Sequence, residues 1–203
     1  MINVIAEQIM QIYDIKTFVE TGIDHGRQIH VVRDWLEKIN GDDFMMYEID
    51  NNPEVIKLVS PVFKDDPNVE IIESNSEDWL KSAVDSNLFV DRTMFFLDAH
   101  WYDQHPLLME IESIMRLNNK PIIAIDDFNH PHSTSISEFS IHAIRPLVEP
   151  RTNVVVHARD PQSPELNLGQ GGNRCAFVFV DVDLDELKND LGGLYDKIVY
   201  EGL

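Results

Sequence analysis

The sequence holds a single cysteine, Cys175, so no disulfide can form within the chain, and a reducing compartment, the cytoplasm, is the expected setting. Basic residues are scarce as well: 16 Lys and Arg stand against 36 Asp and Glu, a formal net charge of −20. A nucleic-acid backbone is met by a basic footprint, and none is visible, so nucleic acid is not expected as partner or substrate. No apolar run is long enough to span a bilayer. The opening MINVIAEQIMQIYDI has no early basic cluster and places its apolar residues at helical spacing, which predicts an amphipathic helix over 3–13 rather than a signal peptide. Repeats, low-complexity segments and linkers are missing too. The expectation is one domain, with that helix, a core over 16–182 and a tail over 183–203.

What is present is a march of short apolar runs. KTFVE (16–20), FMMYEI (44–49), VEIIES (69–74), TMFFLD (93–98) and PIIAID (121–126) are each strand-length, rich in β-branched or aromatic residues, and followed by a turn signal. Between them lie segments of helical period. Residues 27–39 place Ile29, Val32, Trp35, Leu36 and Ile39 on one side, and 105–117 do the same with Leu108, Ile111, Ile114 and Met115. Trp35 and Trp79 fall at that spacing and read as core. Strand followed by helix, repeated, predicts a parallel sheet covered on both faces. Right-handed crossovers then bring every strand C-terminus to one edge, where open α/β sheets bind ligands. TNVVVHA (152–158) and RCAFVFVDV (174–182) are two further strands, joined by a loop rich in Pro, Gly and Asn that is too long for a tight hairpin.

The chemistry collects at the strand ends. The first strand runs into VETGIDHG, with Glu20, Thr21, Gly22, Asp24, His25 and Gly26; its two glycines give a tight turn that lets backbone approach a ligand, or serve the turn alone. Glu48, followed by Ile49, stands 22 residues after Gly26, where an acid can accept hydrogen bonds from ribose hydroxyls. The third strand leads to ESNSED, whose Ser76 and Glu77 can meet a purine, while Ser76 is equally suited to cap the following helix. The G-x-G-x-x-G pattern of dinucleotide sites is absent, because Glu20 takes the place of its first glycine. A carboxylate there would repel a pyrophosphate and favour an ammonium or sulfonium group.

These motifs, in this order, resemble the class I S-adenosylmethionine-dependent methyltransferases over residues 16 to about 182. FFLDAHWYD followed by PIIAIDDF is similar to the catechol and macrocin (sugar) O-methyltransferase types. The resemblance implies a Rossmann-like three-layer α/β/α fold with a mostly parallel seven-stranded sheet and an antiparallel C-terminal strand. It implies S-adenosylmethionine as cofactor, held by Glu20, Thr21, Gly22, Asp24, His25, Gly26, Glu48, Ile49, Ser76, Glu77, Asp98 and Trp101. It also implies a divalent cation such as Mg²⁺ held by Asp98, Asp126 and Asp127; all-oxygen ligands suit such a hard ion, although the carboxylates could instead position the substrate directly. The lysine base of the catechol enzymes is missing from 98–103, and His100 is its natural replacement. A histidine's unperturbed pKa of about 6.5 suits taking a hydroxyl proton near neutral pH. Asp98 and His100 are therefore the candidate catalytic pair, and Tyr102, Asp127, His130 and His132 candidates for the acceptor pocket.

The polar loops HPHSTSIS and PQSPELNLGQGGN favour a carbohydrate hydroxyl as acceptor. The alternatives are a catechol-type small molecule, a nicotinamide-dependent oxidoreductase on the same layout, and a binding module without turnover. A homodimer is left open.

Overall fold

The computed structural model describes residues 4–99, 106–126, 128, 140–152, 154–158 and 175–203. Among the described residues, eight strands form a single sheet: β1 (Thr17–Thr21), β2 (Met45–Asp50), β3 (Val69–Glu73), β4 (Thr93–Leu97), β5 (Ile122–Ile125), β6 (Val154–Ala158), β7 (Ala176–Phe179) and β8 (Ile198–Gly202), in the order β3-β2-β1-β4-β5-β7-β6-β8. β1 to β5 pair in parallel, and β7 runs antiparallel to both β5 and β6. The seven expected strands are thus present in the expected directions. The tail adds an eighth, β8, antiparallel to β6 at the sheet's edge.

Seven α-helices among the described residues cover the sheet: α1 (Val4–Ile12), α2 (Arg27–Asn40), α3 (Pro53–Phe63), α4 (Ser76–Asp85), α5 (Leu107–Ile114), α6 (Ile141–Val148) and α7 (Leu184–Asp190). The side chains of β4 show how two cores share one strand. Met94 and Phe96 face one way, with Ile9, Val32, Leu36, Phe63 and Leu187 from α1, α2, α3 and α7. Phe95 and Leu97 face the other, with Leu80, Ile111 and Ile144 from α4, α5 and α6. All five β4 residues are buried, as expected of a parallel strand covered on both faces. Trp35 and Trp79 pack partly buried against these two cores, Trp79 in an aromatic cluster with Tyr47 and Phe89.

The buried stripe of α5 differs from the expected one. Leu107, Glu110, Ile111, Ser113 and Ile114 are buried, while Leu108 and Met115 are half-buried, so the inward face carries a carboxyl group. The strand order reverses at β1, whose neighbours β2 and β4 lead away to opposite edges. That reversal opens a crevice at the C-terminal ends of β1 and β4.

Candidate functional site

A cavity of about 460 Å³ occupies that crevice. Gly22 lines it from the turn after β1, Ile49, Asp50 and Asn51 from the end of β2, and Ser74, Asn75, Ser76 and Glu77 from the passage between β3 and α4. Ala99, after β4, and Pro106 and Met109, at the start of α5, complete its walls.

The glycine turn is built by close backbone contact. Gly22 donates its N–H to the Ile49 carbonyl at 2.9 Å, and Asp98 donates its N–H to the Thr21 carbonyl at 3.0 Å. At φ +82° Gly22 lies in the left-handed region, and a Cβ on it would stand 2.7 Å from the Asp98 carbonyl oxygen and 2.9 Å from the Ala99 nitrogen. Only glycine lets the two segments pass at this distance. Gly26, which opens α2 at φ +70°, packs instead toward the Val59 methyls of α3. Asp24 and His25, on the same turn, are exposed and do not line the cavity.

Asp50 is the acid at the mouth of β2. Its Oδ2 accepts the Ile23 N–H at 3.1 Å and its Oδ1 the Asn52 N–H at 2.8 Å, so the carboxylate ties the glycine turn to the entry of α3. Burial raises its pKa, and the N–H groups of Asn52, Ile23 and Asp24 hold that rise back. Glu48, expected in this place, does not reach the cavity. It is fully buried one strand-repeat deeper and lies in register with Glu20 of β1.

Glu20 is buried too and does not line the cavity; Gln28 of α2 donates to its Oε1 at 2.8 Å. Among the described residues its Oε2 and both Glu48 oxygens have no donor at full hydrogen-bonding geometry. Burial raises the pKa of both groups; Glu20 pushes that of Glu48 up further, while the interaction with Glu48 holds the rise at Glu20 back. Two carboxyls so placed are compatible only when they share a proton. The carboxylate that was expected to meet a cationic ligand is therefore part of a buried acid pair and is not among the cavity's lining residues.

The cap of α4 is Asn75 rather than Ser76, with Asn75 extended at φ −64°, ψ 133° and Ser76 the first helical residue. Asn51 reaches across from β2 and donates to Asn75 Oδ1 at 3.2 Å. Thr21 lies behind the cavity wall, buried, its hydroxyl without a partner at full hydrogen-bonding geometry.

Asp98 and Asp126 stand at the ends of neighbouring strands, linked by the Asp126 N–H donating to the Leu97 carbonyl at 3.1 Å. Cys175 is close by; burial pushes its thiol well up, and the charges of Asp126 and Asp98 add to that, so it is held as an unreactive thiol. Among the described residues no group of three His, Cys, Asp or Glu side chains is arranged to hold a metal ion. Asp127, the third member of the expected metal set, lies outside the described residues. So do His100, Trp101, Tyr102, His130 and His132.

The geometry therefore gathers Gly22, Ile49, Ser76 and Glu77 from the expected cofactor set, and adds Asp50, Asn51, Ser74, Asn75, Ala99, Pro106 and Met109. Asp50 had a signal in the sequence. It lies two residues after Glu48, on the same face of the strand and nearer its end.

No protein-family description matches the chain, and a search of curated proteins gives no match. Solved structures do match in fold. An O-methyltransferase of Bacillus cereus in complex with SAH aligns with TM-score 0.60 at 14% identity, over 89% of this chain and 82% of that one. A provisionally assigned methyltransferase of Thermobifida fusca aligns with TM-score 0.63 at 12% identity, over 88% and 79% of the two chains. An SAH-bound methyltransferase of Podospora anserina aligns with TM-score 0.57 at 16% identity, over 86% and 76%. The fold of this chain is that of the S-adenosylmethionine-dependent methyltransferases.

Proposed function

We propose that this protein is an S-adenosylmethionine-dependent O-methyltransferase whose acceptor is a carbohydrate hydroxyl. One observation carries the cofactor reading. The cavity at the sheet's reversal point is lined by two carboxylates, Asp50 and Glu77, by Asn and Ser side chains, and by no Lys or Arg among its described residues. Such a wall accepts hydrogen bonds and tolerates a cation. It suits a ribose, an adenine amino group and a sulfonium, and it opposes the pyrophosphate that a nicotinamide dinucleotide would bring.

In this reading Asp50 receives the ribose hydroxyls, the Gly22 turn admits the sulfonium end, and Asn75, Ser76 and Glu77 face the adenine. The bound cofactor supplies an electrophilic methyl group. The chain's own tasks are to hold the acceptor oxygen in line with it, an alignment worth roughly 7–11 kcal/mol in well-oriented systems, and to take the hydroxyl proton. His100, which follows the strand that delivers Asp98, is the proposed base. Asp98 and Asp126 are available to orient the acceptor, and EDTA added during turnover tests for a divalent ion. The carbohydrate preference rests on the polar, hydroxyl-compatible composition of the loops after β5 and β6 and on a net charge of −20, which disfavours a nucleic-acid acceptor.

Calorimetric titration with S-adenosylhomocysteine is the test. Binding in the micromolar range is expected, with no binding of NADH. Asp50→Asn should weaken S-adenosylhomocysteine binding about tenfold, the cost of one charge-assisted hydrogen bond, and lower the thermal midpoint by a few degrees, because the Ile23 or the Asn52 N–H loses its acceptor. NADH binding without S-adenosylhomocysteine binding would reverse the assignment in favour of an oxidoreductase. Once an acceptor is found by screening sugars, His100→Ala should lower kcat by a factor of 10² or more while leaving cofactor affinity in place. Unchanged turnover would remove His100 from the mechanism.

A further inference from the structure

Glu110 is a carboxyl group with no evident structural reason to be where it is. It sits on the inward face of α5 at 0% exposure, on the same buried stripe as Leu107, Ile111 and Ile114, and among the described residues no cation stands against it and neither carboxyl oxygen is hydrogen-bonded at full geometry. Burying such a group costs free energy that a Leu in the same place would not incur. Glu110 interacts with Ser76, a residue of the cavity wall, and does not itself line the cavity.

Two hydroxyls face its carboxyl, from different elements: Ser76, the first residue of α4, and Thr21, the last of β1. Burial pushes the pKa of Glu110 up to about 7, and these two hydroxyls restrain the rise; Glu77 on α4 is the charged group that adds to it. Ser76 also lines the cavity, so the residue that meets Glu110 belongs to the wall of the ligand space. A serine hydroxyl has one proton and two lone pairs. If the proton is directed back at a carboxylate, the oxygen presents only lone pairs to the cavity.

We infer that Glu110 is a positioning residue of the cavity: it orients the Ser76 and Thr21 hydroxyls inward, so that Ser76 offers the ligand an acceptor and selects a nucleoside face that donates hydrogen bonds. The inference rests on the cofactor reading above, and adenine's exocyclic amino group is the donor it fits. Glu110 touches neither cofactor nor acceptor. It acts through Ser76.

The test is a double-mutant cycle read by calorimetric titration with S-adenosylhomocysteine at pH 8, with the thermal midpoint measured on each form. Glu110→Gln keeps the shape, but its amide must donate to one hydroxyl and so turns that proton away. Affinity should fall about tenfold, the scale of one hydrogen bond, while the midpoint holds or rises because a buried ionisable group is gone. Ser76→Ala should cost several-fold in the wild-type background and much less in Glu110→Gln, since the oriented hydroxyl is already lost. Wild-type affinity in Glu110→Gln, losses that simply multiply in the double variant, or a midpoint that falls in step with affinity would each overturn the inference. No binding by the wild-type protein would instead overturn the cofactor reading, and this inference with it.

Discussion

Replacing Gly22 with alanine is expected to reduce S-adenosylhomocysteine affinity by about two orders of magnitude and to lower the thermal midpoint by on the order of 10 °C. Two costs add. An L-residue in the left-handed region loses roughly 1–2 kcal/mol, and Gly22 has φ +82°. The new Cβ would also stand 2.7 Å from the Asp98 carbonyl oxygen and 2.9 Å from the Ala99 nitrogen, closer than real Cβ atoms come to anything. Both neighbours are backbone, so no side-chain rotation relieves the contact. Overpacking of this kind costs roughly 1–3 kcal/mol, and each kcal/mol moves the midpoint of a chain this size by about 2–4 °C. The relief available is a retreat of the segment after β4, which carries Ala99 in the cavity wall and leads to the proposed base.

Gly26→Ala is the control for this argument. It has a similar φ, +70°, but its Cβ would meet Val59 methyls at 3.0 and 3.1 Å, on the side of α3. Side-chain methyls can shift, and the cavity wall is not involved. Affinity within a few-fold of wild type is expected for Gly26→Ala. Equal losses in the two variants would show that the glycine turn matters as a whole and that the close approach at Gly22 is not the cause.

The sequence made the parallel half of the sheet legible for a physical reason. Strands buried on both faces must be continuous apolar runs, and TMFFL and IIAI have no other reading at that length. β8 escaped because IVYEG is a short edge strand that ends in Gly and follows a 3₁₀ turn, Gly192–Lys197, where composition resembles a tail. In the site, the two acids of MMYEID were the difficulty. Glu48 and Asp50 share a face, and spacing alone does not say which of them stands at the edge. Register decides it: β2 extends to Asp50, past the last pair with β1 at Ile49, so Asp50 emerges and Glu48 meets Glu20. Glu110 was masked by its own type. The buried stripe 107, 111, 114 includes position 110, and apolar spacing does not report a carboxyl group that stands on it.

The buried acid pair of Glu20 and Glu48 gives the second large effect, in stability against pH. Burial raises the pKa of Glu20 and Glu48 above their unfolded values, and burial pushes Glu110 up to about 7 from 4.5. Between about pH 4.5 and 7 the folded chain therefore binds more protons than the unfolded one, so stability falls as pH rises through that window. For Glu110 alone the difference is worth roughly 3 kcal/mol. The ion-paired carboxyls act in the opposite sense and lower down. Lys81 and Arg116 hold Asp85 below its usual range, and Arg151 does the same for Asp181, so their contribution is lost only as pH falls below about 4. The thermal midpoint should accordingly peak near pH 5 and drop by on the order of 5–10 °C by pH 8.

Glu48→Gln should raise the midpoint at pH 8 by several degrees, leave it almost unchanged at pH 5, and flatten the profile between. Its amide supplies permanently the donor that Glu20 Oε2 lacks, with no proton to lose. Thermal melts across pH 4 to 9 on the two proteins decide the matter. A variant less stable at every pH, with the wild-type slope intact, would mean that Glu20 and Glu48 do not share a proton and that Glu48 is held by something other than its partner acid.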